Sequence, residues 1–192
     1  MPSATPGCLI AVVGPSGVGK DTLMSAARDR LAGRGDLFFV RRTITRPQAS
    51  DAEVHIPVTD AAFDRARADG AFCFWWEAHG LKYGLPASLV GDLAAGRHAV
   101  VNGSRKVLAD MAHRFPRLAI VSLTARPEVV ARRLAARGRE SAEEIARRLS
   151  RTVEIPAVAP MRTVDNSDDL GTAIADLVAA IESFAQTPAR SA

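Results

Sequence analysis

The feature that most restricts how this chain can fold lies near its start. An unbroken apolar run, Cys8 to Val13, passes directly into Gly14-Pro15-Ser16-Gly17-Val18-Gly19-Lys20, and Leu23, Ala27 and Leu31 then share one helical face. A short apolar run ending in glycine reads as a fully buried strand. Leu23, Ala27 and Leu31 mark an amphipathic helix from about Lys20 to Ala32, stopped by Gly33 and Gly35. A buried strand needs cover on both faces, so the start of the chain already points to an α/β fold.

Gly14-x-x-x-x-Gly19-Lys20 between strand and helix has the spacing and context of a phosphate-binding P-loop. Glycines let the backbone wrap around phosphates with its N–H groups inward, and the helix N-terminus adds partial positive charge. Lys20 is expected to reach the β- and γ-phosphates and follow charge as it transfers. Gly14, Pro15, Ser16, Gly17, Val18, Gly19, Lys20, Asp21 and Thr22 form the candidate ATP-binding set. A plain glycine turn is the bland alternative, and lysine, spacing and context together weigh against it. The motif departs from its usual form after the lysine, where Ser or Thr ordinarily ligates Mg²⁺. Here stands Asp21, followed by Thr22. A carboxylate is a hard oxygen ligand and suits Mg²⁺ directly or through water. Equally, an acid is favoured in the first turn of any helix. Asp21 and Thr22 are the metal candidates.

Further along, strands are expected at 37–42, 72–76, 98–101, 118–123 and 162–164, and helices at 61–69, 87–95, 106–114, 127–137, 141–151 and 170–184, with 44–59 mostly loop. Pro127 suits a helix start, and Ser141 with Glu144 has capping-box spacing. Alternating strands and helices predict a mainly parallel sheet flanked by helices, in a single domain over 7–186 with loose ends at 1–6 and 187–192.

Composition narrows the partners. The formal net charge is +4, with basic residues gathered at 41–46 and 126–151. No stacking aromatics interleave them, so small phosphorylated ligands are favoured over nucleic acid. No window holds about eighteen uninterrupted apolar residues, and the first residues lack a secretory pattern, so no membrane association is expected. Cys8 and Cys73 are too far apart for a metal motif and fit a reducing cytoplasm. The sequence does not set oligomeric state, with a homodimer one of the states open to it.

Four stretches together resemble the guanylate kinase family over about Leu9 to Leu177: the phosphate loop, Thr45-Arg46, Glu77-Ala78-His79-Gly80-Leu81-Lys82-Tyr83-Gly84, and the arginine-bearing run from Arg133 through Arg137 to Arg148. The resemblance implies a nucleoside-monophosphate-kinase-like fold, with an inserted acceptor-binding region at about 37–95 and a lid at about 137–150. It implies that Arg46 and Tyr83 hold the acceptor phosphate, with Arg42 or Arg41 at the neighbouring arginine position. His55 stands near a second phosphate-binding tyrosine of that family, and Glu77 opens the Glu-x-His-Gly stretch. Arg133, Arg137 and Arg148 would serve the ATP phosphates or the transferring phosphoryl, with Lys20, Arg137 and Arg148 as the catalytic set. Asn166 follows the last strand, where the family contacts adenine.

The guanine reader is missing. The family places a carboxylate in the strand before the tryptophan and a hydroxyl after Tyr-Gly, where this chain has Phe74 and Leu85-Pro86. Buried base donors left unpaired cost roughly 1–3 kcal/mol each. Among guanylate-kinase-like enzymes, the chain is similar to ribose 1,5-bisphosphate phosphokinases in Gly19-Lys20-Asp21, Thr45-Arg46-Pro47, His55-Ile56, Tyr83-Gly84-Leu85 and Asn102-Gly103-Ser104-Arg105. That similarity implies phosphoryl transfer from ATP to the 1-phosphate of ribose 1,5-bisphosphate. A phosphate nucleophile is already ionised at neutral pH and needs no general base. Asn102, Ser104 and Arg105 are expected at the sugar hydroxyls or the metal shell, against a plain strand-to-helix cap as the alternative. The competing readings are a guanylate or other nucleoside-monophosphate kinase, a non-catalytic interaction module, and a small-sugar kinase. An intact loop argues against the second, and the lack of a placed base against the third.

Overall fold

The computed structural model describes residues 5–47, 54–136, 138, 141–149 and 154–186. Five strands form the main sheet: β1 (Leu9–Val13), β2 (Leu37–Phe39), β7 (His98–Asn102), β8 (Leu118–Thr124) and β9 (Met161–Asp165). Their order is β2-β7-β1-β8-β9, and every pairing is parallel.

Every residue of β1 is buried, because the sheet is covered on both faces. Strand alternation divides the cover. Ile10 and Val12 join Leu23 and Ala27 of α1 (Lys20–Arg30) and Ala173, Leu177 and Ile181 of α7 (Leu170–Gln186). Leu9, Ala11 and Val13 face Leu89 and Leu93 of α3 (Ser88–Ala94) and Leu108 and Met111 of α4 (Leu108–Arg114). The central strand thus ends between two packed cores, and the loop at its C-terminal end is held from both sides.

A second, four-stranded sheet has the order β4-β3-β6-β5, from β3 (Thr43–Ile44), β4 (Ile56–Pro57), β5 (Phe72–Ala78) and β6 (Leu81–Pro86). It corrects the reading of 37–42 as one strand: Leu37–Phe39 joins the main sheet, and the chain re-enters pairing in the second at Thr43. It also brings a strand, β6, where only a motif was read. Residues 44–59, expected as mostly loop, contribute the end of β3 and all of β4. The helix α2 (Asp60–Ala68) covers one face of this sheet, capped by the Thr59 hydroxyl, which accepts from the Ala62 N–H at 3.2 Å. Its Phe63 is fully buried and stacks on Phe72 of β5 at 4.7 Å.

The helix α5 (Pro127–Ala136) starts on proline as expected, and α6 (Ala142–Leu149) begins with the capping box. Ser141 Oγ accepts from the Glu144 N–H at 3.2 Å, while Glu144 Oε2 accepts from the Ser141 N–H at 2.8 Å. Among the described residues no helix is long and apolar enough to cross a membrane.

Candidate active site

The loop between β1 and α1 closes over two left-handed glycines. Gly17 has φ 86° and Gly19 φ 91°, conformations that side chains rarely adopt. A Cβ on Gly17 would stand 2.9 Å from Leu134 Cγ of α5, and one on Gly19 would stand 2.5 Å from Asn166 Nδ2. Between them Val18 turns its side chain into the main core. Its carbonyl oxygen accepts from Asn166 Nδ2 at 2.7 Å and from Arg133 Nη1 of α5 at 3.2 Å. Gly19 is the N-cap of α1 and has no side chain to cap it, and the helix N-terminus there is favourable ground for an anion. Pro15, Ser16, Gly17, Gly19, Lys20, Asp21 and Thr22 line one open pocket at this point.

The strand next to β1 supplies the site's second side. Asn102 ends β7, in register with Val12, and is only 4% exposed. Its Nδ2 donates to Asp21 Oδ1 at 3.2 Å. The sequence assigned Asn102 to the sugar or the metal shell, and the structure joins it to the loop carboxylate. Ser104 and Arg105, both half-buried, follow at the start of a single 3-10 turn, Arg105–Val107. Burial lowers the pKa of the Arg105 guanidinium.

Asp21 and Thr22 are exposed at the mouth of the loop. Among the described residues no three His, Cys, Asp or Glu side chains gather as a metal cage. One carboxylate and one hydroxyl beside a phosphate cradle are the donor set that suits Mg²⁺, which takes few protein oxygens and shares the rest with phosphate and water.

The acceptor candidates cluster in the second sheet. Trp76 and Tyr83 are cross-strand partners in β5 and β6, stacked at 5.2 Å with planes 7° apart. The Arg42 guanidinium lies over both rings, 5.0 Å from the Tyr83 centroid and 5.7 Å from that of Trp76. Phe74, two residues before Trp76 on the same face, packs against Trp76 and against Phe115. This face is therefore aromatic carbon at Phe74, the position for which the guanylate kinase resemblance implied a carboxylate. Trp76 entered the sequence reading only as a landmark. The signal that could have found it is the alternation in Phe72-Cys73-Phe74-Trp75-Trp76, which gives Phe74 and Trp76 the same face.

Arg46 is half-buried, and its Nε is buried with no hydrogen-bond partner among the described residues. His55 is fully buried, with Nε2 3.0 Å from the Arg46 carbonyl oxygen, so it props the arginine's backbone. Thr45 spans β3 and β6: its Oγ1 accepts from the Lys82 N–H at 2.9 Å. Glu77 is not brought together with the other acceptor candidates. It pairs with Lys82, one residue out of phase with the Trp76–Tyr83 pair, so strand alternation sends it to the opposite, α2 face of the sheet. There Lys82 Nζ bonds Asp64 at 2.8 Å, apart from the Arg42 cluster.

Of the lid candidates, Arg133 engages the Val18 carbonyl, Arg137 lies outside the described residues, and Arg148 sits on α6, its side chain outside the description. Asn166 is 1% exposed: one end of its amide anchors the phosphate loop, and Oδ1 is buried without a partner among the described residues.

Residues 10–154 match a family described as an AAA domain. The chain is 48% identical over 173 residues to ribose 1,5-bisphosphate phosphokinase PhnN of Brucella melitensis biotype 2 (strain ATCC 23457), covering 89% of this chain and 90% of that one. It is 52% identical over 160 residues to the enzyme of the same name from Acidiphilium cryptum (strain JF-5), covering 82% and 85%. The crystal structure of guanylate kinase from Anaplasma phagocytophilum superposes with a TM-score of 0.68 at 14% identity, over 96% of this chain and 89% of that one. That likeness is one of fold, and the much higher identity to the phosphokinases shows that this chain belongs to the ribose 1,5-bisphosphate phosphokinase family, P-loop kinases built on a mainly parallel sheet.

Proposed function

We propose that this chain transfers the γ-phosphoryl group of ATP to the 1-phosphate of ribose 1,5-bisphosphate, giving 5-phosphoribosyl 1-diphosphate and ADP. The observation that carries the reading is a phosphate grip without a base reader. Arg42 and Tyr83 stand together over Trp76, while Phe74 and Pro86 stand in the sequence where the guanylate kinase resemblance implies a carboxylate and a hydroxyl for guanine. The names of the relatives point to the same acceptor.

In the reaction a 1-phosphate oxygen bonds to the γ-phosphorus as the bond to the β,γ-bridging oxygen breaks, and ADP leaves with that electron pair. The attacking oxygen is already ionised, so the task is to bring two polyanions into line. Lys20 and the loop N–H groups hold the ATP phosphates. Arg42, Arg46 and Tyr83 hold the acceptor, with Arg46 Nε an unmet donor suited to a phosphate oxygen. Asn166 Oδ1 offers an unmet acceptor near the loop that suits the adenine amino group. Mg²⁺, held by Asp21 or Thr22 with the nucleotide, would supply charge neutralisation between the phosphates. The second sheet serves as the acceptor-binding region, and 137–150 as the lid whose Arg137 and Arg148 approach the transferring group. Two free thiols, Cys8 and Cys73, suit a reducing cytoplasm.

The test offers the purified protein ATP and Mg²⁺ with either ribose 1,5-bisphosphate or GMP, followed by phosphorus NMR. A diphosphate signal on the ribose C1 with the sugar, and little product with GMP, is the expected result. GDP formation at a comparable rate would make the chain a guanylate kinase and overturn the reading of Phe74 and Pro86.

A further inference from the structure

A P-loop that ends in Lys-Asp has a geometric problem that one ending in Lys-Ser or Lys-Thr does not have. A hydroxyl offers a metal one oxygen close to the backbone. An aspartate offers two equivalent oxygens on a carboxyl that rotates, while Mg²⁺ demands near-ideal octahedral placement. Something must choose between the two oxygens of Asp21 and hold the chosen orientation.

We propose that Asn102 is the positioning residue that does this, fixing Asp21 so that one carboxylate oxygen is held and the other is presented to the divalent cation of the nucleotide. The proposal rests on the ATP–metal part of the function above and not on the identity of the acceptor. Asn102 Nδ2 donates to Asp21 Oδ1 at 3.2 Å, which distinguishes one oxygen from the other and leaves Oδ2 to serve the cation. The donor is anchored: Asn102 is 4% exposed, pairs in register with Val12 of β1, and is followed by the Gly103 N–H donating to the Val12 carbonyl at 2.9 Å. Asp21 itself is exposed at the loop mouth. Donor chemistry also fits. A neutral amide orients the carboxylate and leaves its negative charge to the metal, whereas a lysine or arginine there would compete with the cation. Hydrogen-bonded partners of metal ligands govern affinity in this way at other sites.

Mn²⁺ serves as the probe, titrated by electron paramagnetic resonance into the protein saturated with a non-hydrolysable ATP analogue, with no acceptor present. Asn102→Leu should weaken Mn²⁺ binding about 10–100-fold while metal-free binding of the analogue stays within about twofold. Asp21→Asn, at an exposed position, should cause a similar loss, and the double variant should lose no more than the worse single. Unchanged Mn²⁺ affinity in Asn102→Leu, or losses that add in the double variant, would overturn the proposal. Should Asn102→Leu fail to fold, the wild-type protein answers alone. The Asn102 side-chain amide resonances should move when Mg²⁺ is added to the analogue complex, and stay still in Asp21→Asn; no movement in the wild type would equally overturn it. An acceptor other than ribose 1,5-bisphosphate leaves every one of these readouts unaffected, so the two readings fail separately.

Discussion

Asn166 and Arg133 reach the phosphate loop from different elements and donate to the same atom, the Val18 carbonyl oxygen, at 2.7 and 3.2 Å. A loop that turns its N–H groups toward phosphate must dispose of its carbonyls elsewhere, and a carbonyl has two lone pairs to satisfy. The two donors take both, and so hold this carbonyl on the side of the loop away from phosphate. Asn166→Asp replaces the closer donor with an acceptor facing the carbonyl. We expect the KM for ATP to rise about 10–100-fold, in line with roughly 1–3 kcal/mol for an unmet buried group. Steady-state titration of ATP at saturating acceptor measures it, and an unchanged KM would show that the amide does not hold the loop.

Arg42 is buried against the stacked Tyr83 and Trp76, where a planar guanidinium suits both the aromatic faces and a phosphate fork. Lysine keeps the charge but loses the plane and the paired donors. Arg42→Lys should raise the KM for ribose 1,5-bisphosphate about tenfold, near 1.4 kcal/mol, and leave the KM for ATP alone. An equal rise for both substrates would mean that the substitution disturbs the fold of the second sheet instead.

The centre of the main sheet was legible because β1, β7 and β8 are largely apolar runs, and they fall within a residue or so of the expected bounds. The phosphate loop was legible because its chemistry is local in sequence. The second sheet was not, since β3 and β4 are two residues each and β6 contains Gly84 and Pro86, residues that usually interrupt strands. Missing β6 concealed its pairing phase with β5, and that phase decides that Tyr83 shares the Trp76 face while Glu77 does not. Long-range pairs such as Asn102 with Asp21, and Asn166 with Val18, have no trace in spacing, because parallel strands bring them together from 81 and 148 residues apart.

The roles proposed for Lys20 and Arg148 predict different kinetic signatures. Lys20 sits at the first residue of α1 and lines the pocket, so Lys20→Ala should lower kcat at least about 100-fold. Arg148 belongs to α6, within the segment proposed as the lid. Arg148→Ala should lower kcat about 10–100-fold with little change in the KM for the sugar phosphate. A normal turnover number for that variant would remove Arg148 from the catalytic set.

At the opposite end of the main sheet, the Cys8 N–H donates to His98 Nδ1 at 3.1 Å, tying the entry of β1 to the first residue of β7. The ring must be unprotonated at Nδ1 to accept. Burial, and then the Arg117 guanidinium, lower its pKa, with Arg34 adding to the fall and Asp36 opposing it. The Asp36 carboxyl is itself held down to about 2, chiefly by its hydrogen bond with Arg34, so it stays ionised throughout mild acid. A histidine depressed in the folded state contributes nothing to pH dependence well above 6.5, its ordinary value, where both states are neutral. As pH falls below 6.5 the unfolded chain takes up the proton first, and stability is lost until the lowered folded value is passed. The urea midpoint should therefore fall between about pH 7.5 and 5.5. His98→Asn places a non-titrating carbonyl where Nδ1 accepts, so its midpoint should fall less over the same interval. Identical pH dependence in the two proteins would show that the β1–β7 tie does not depend on the charge of His98.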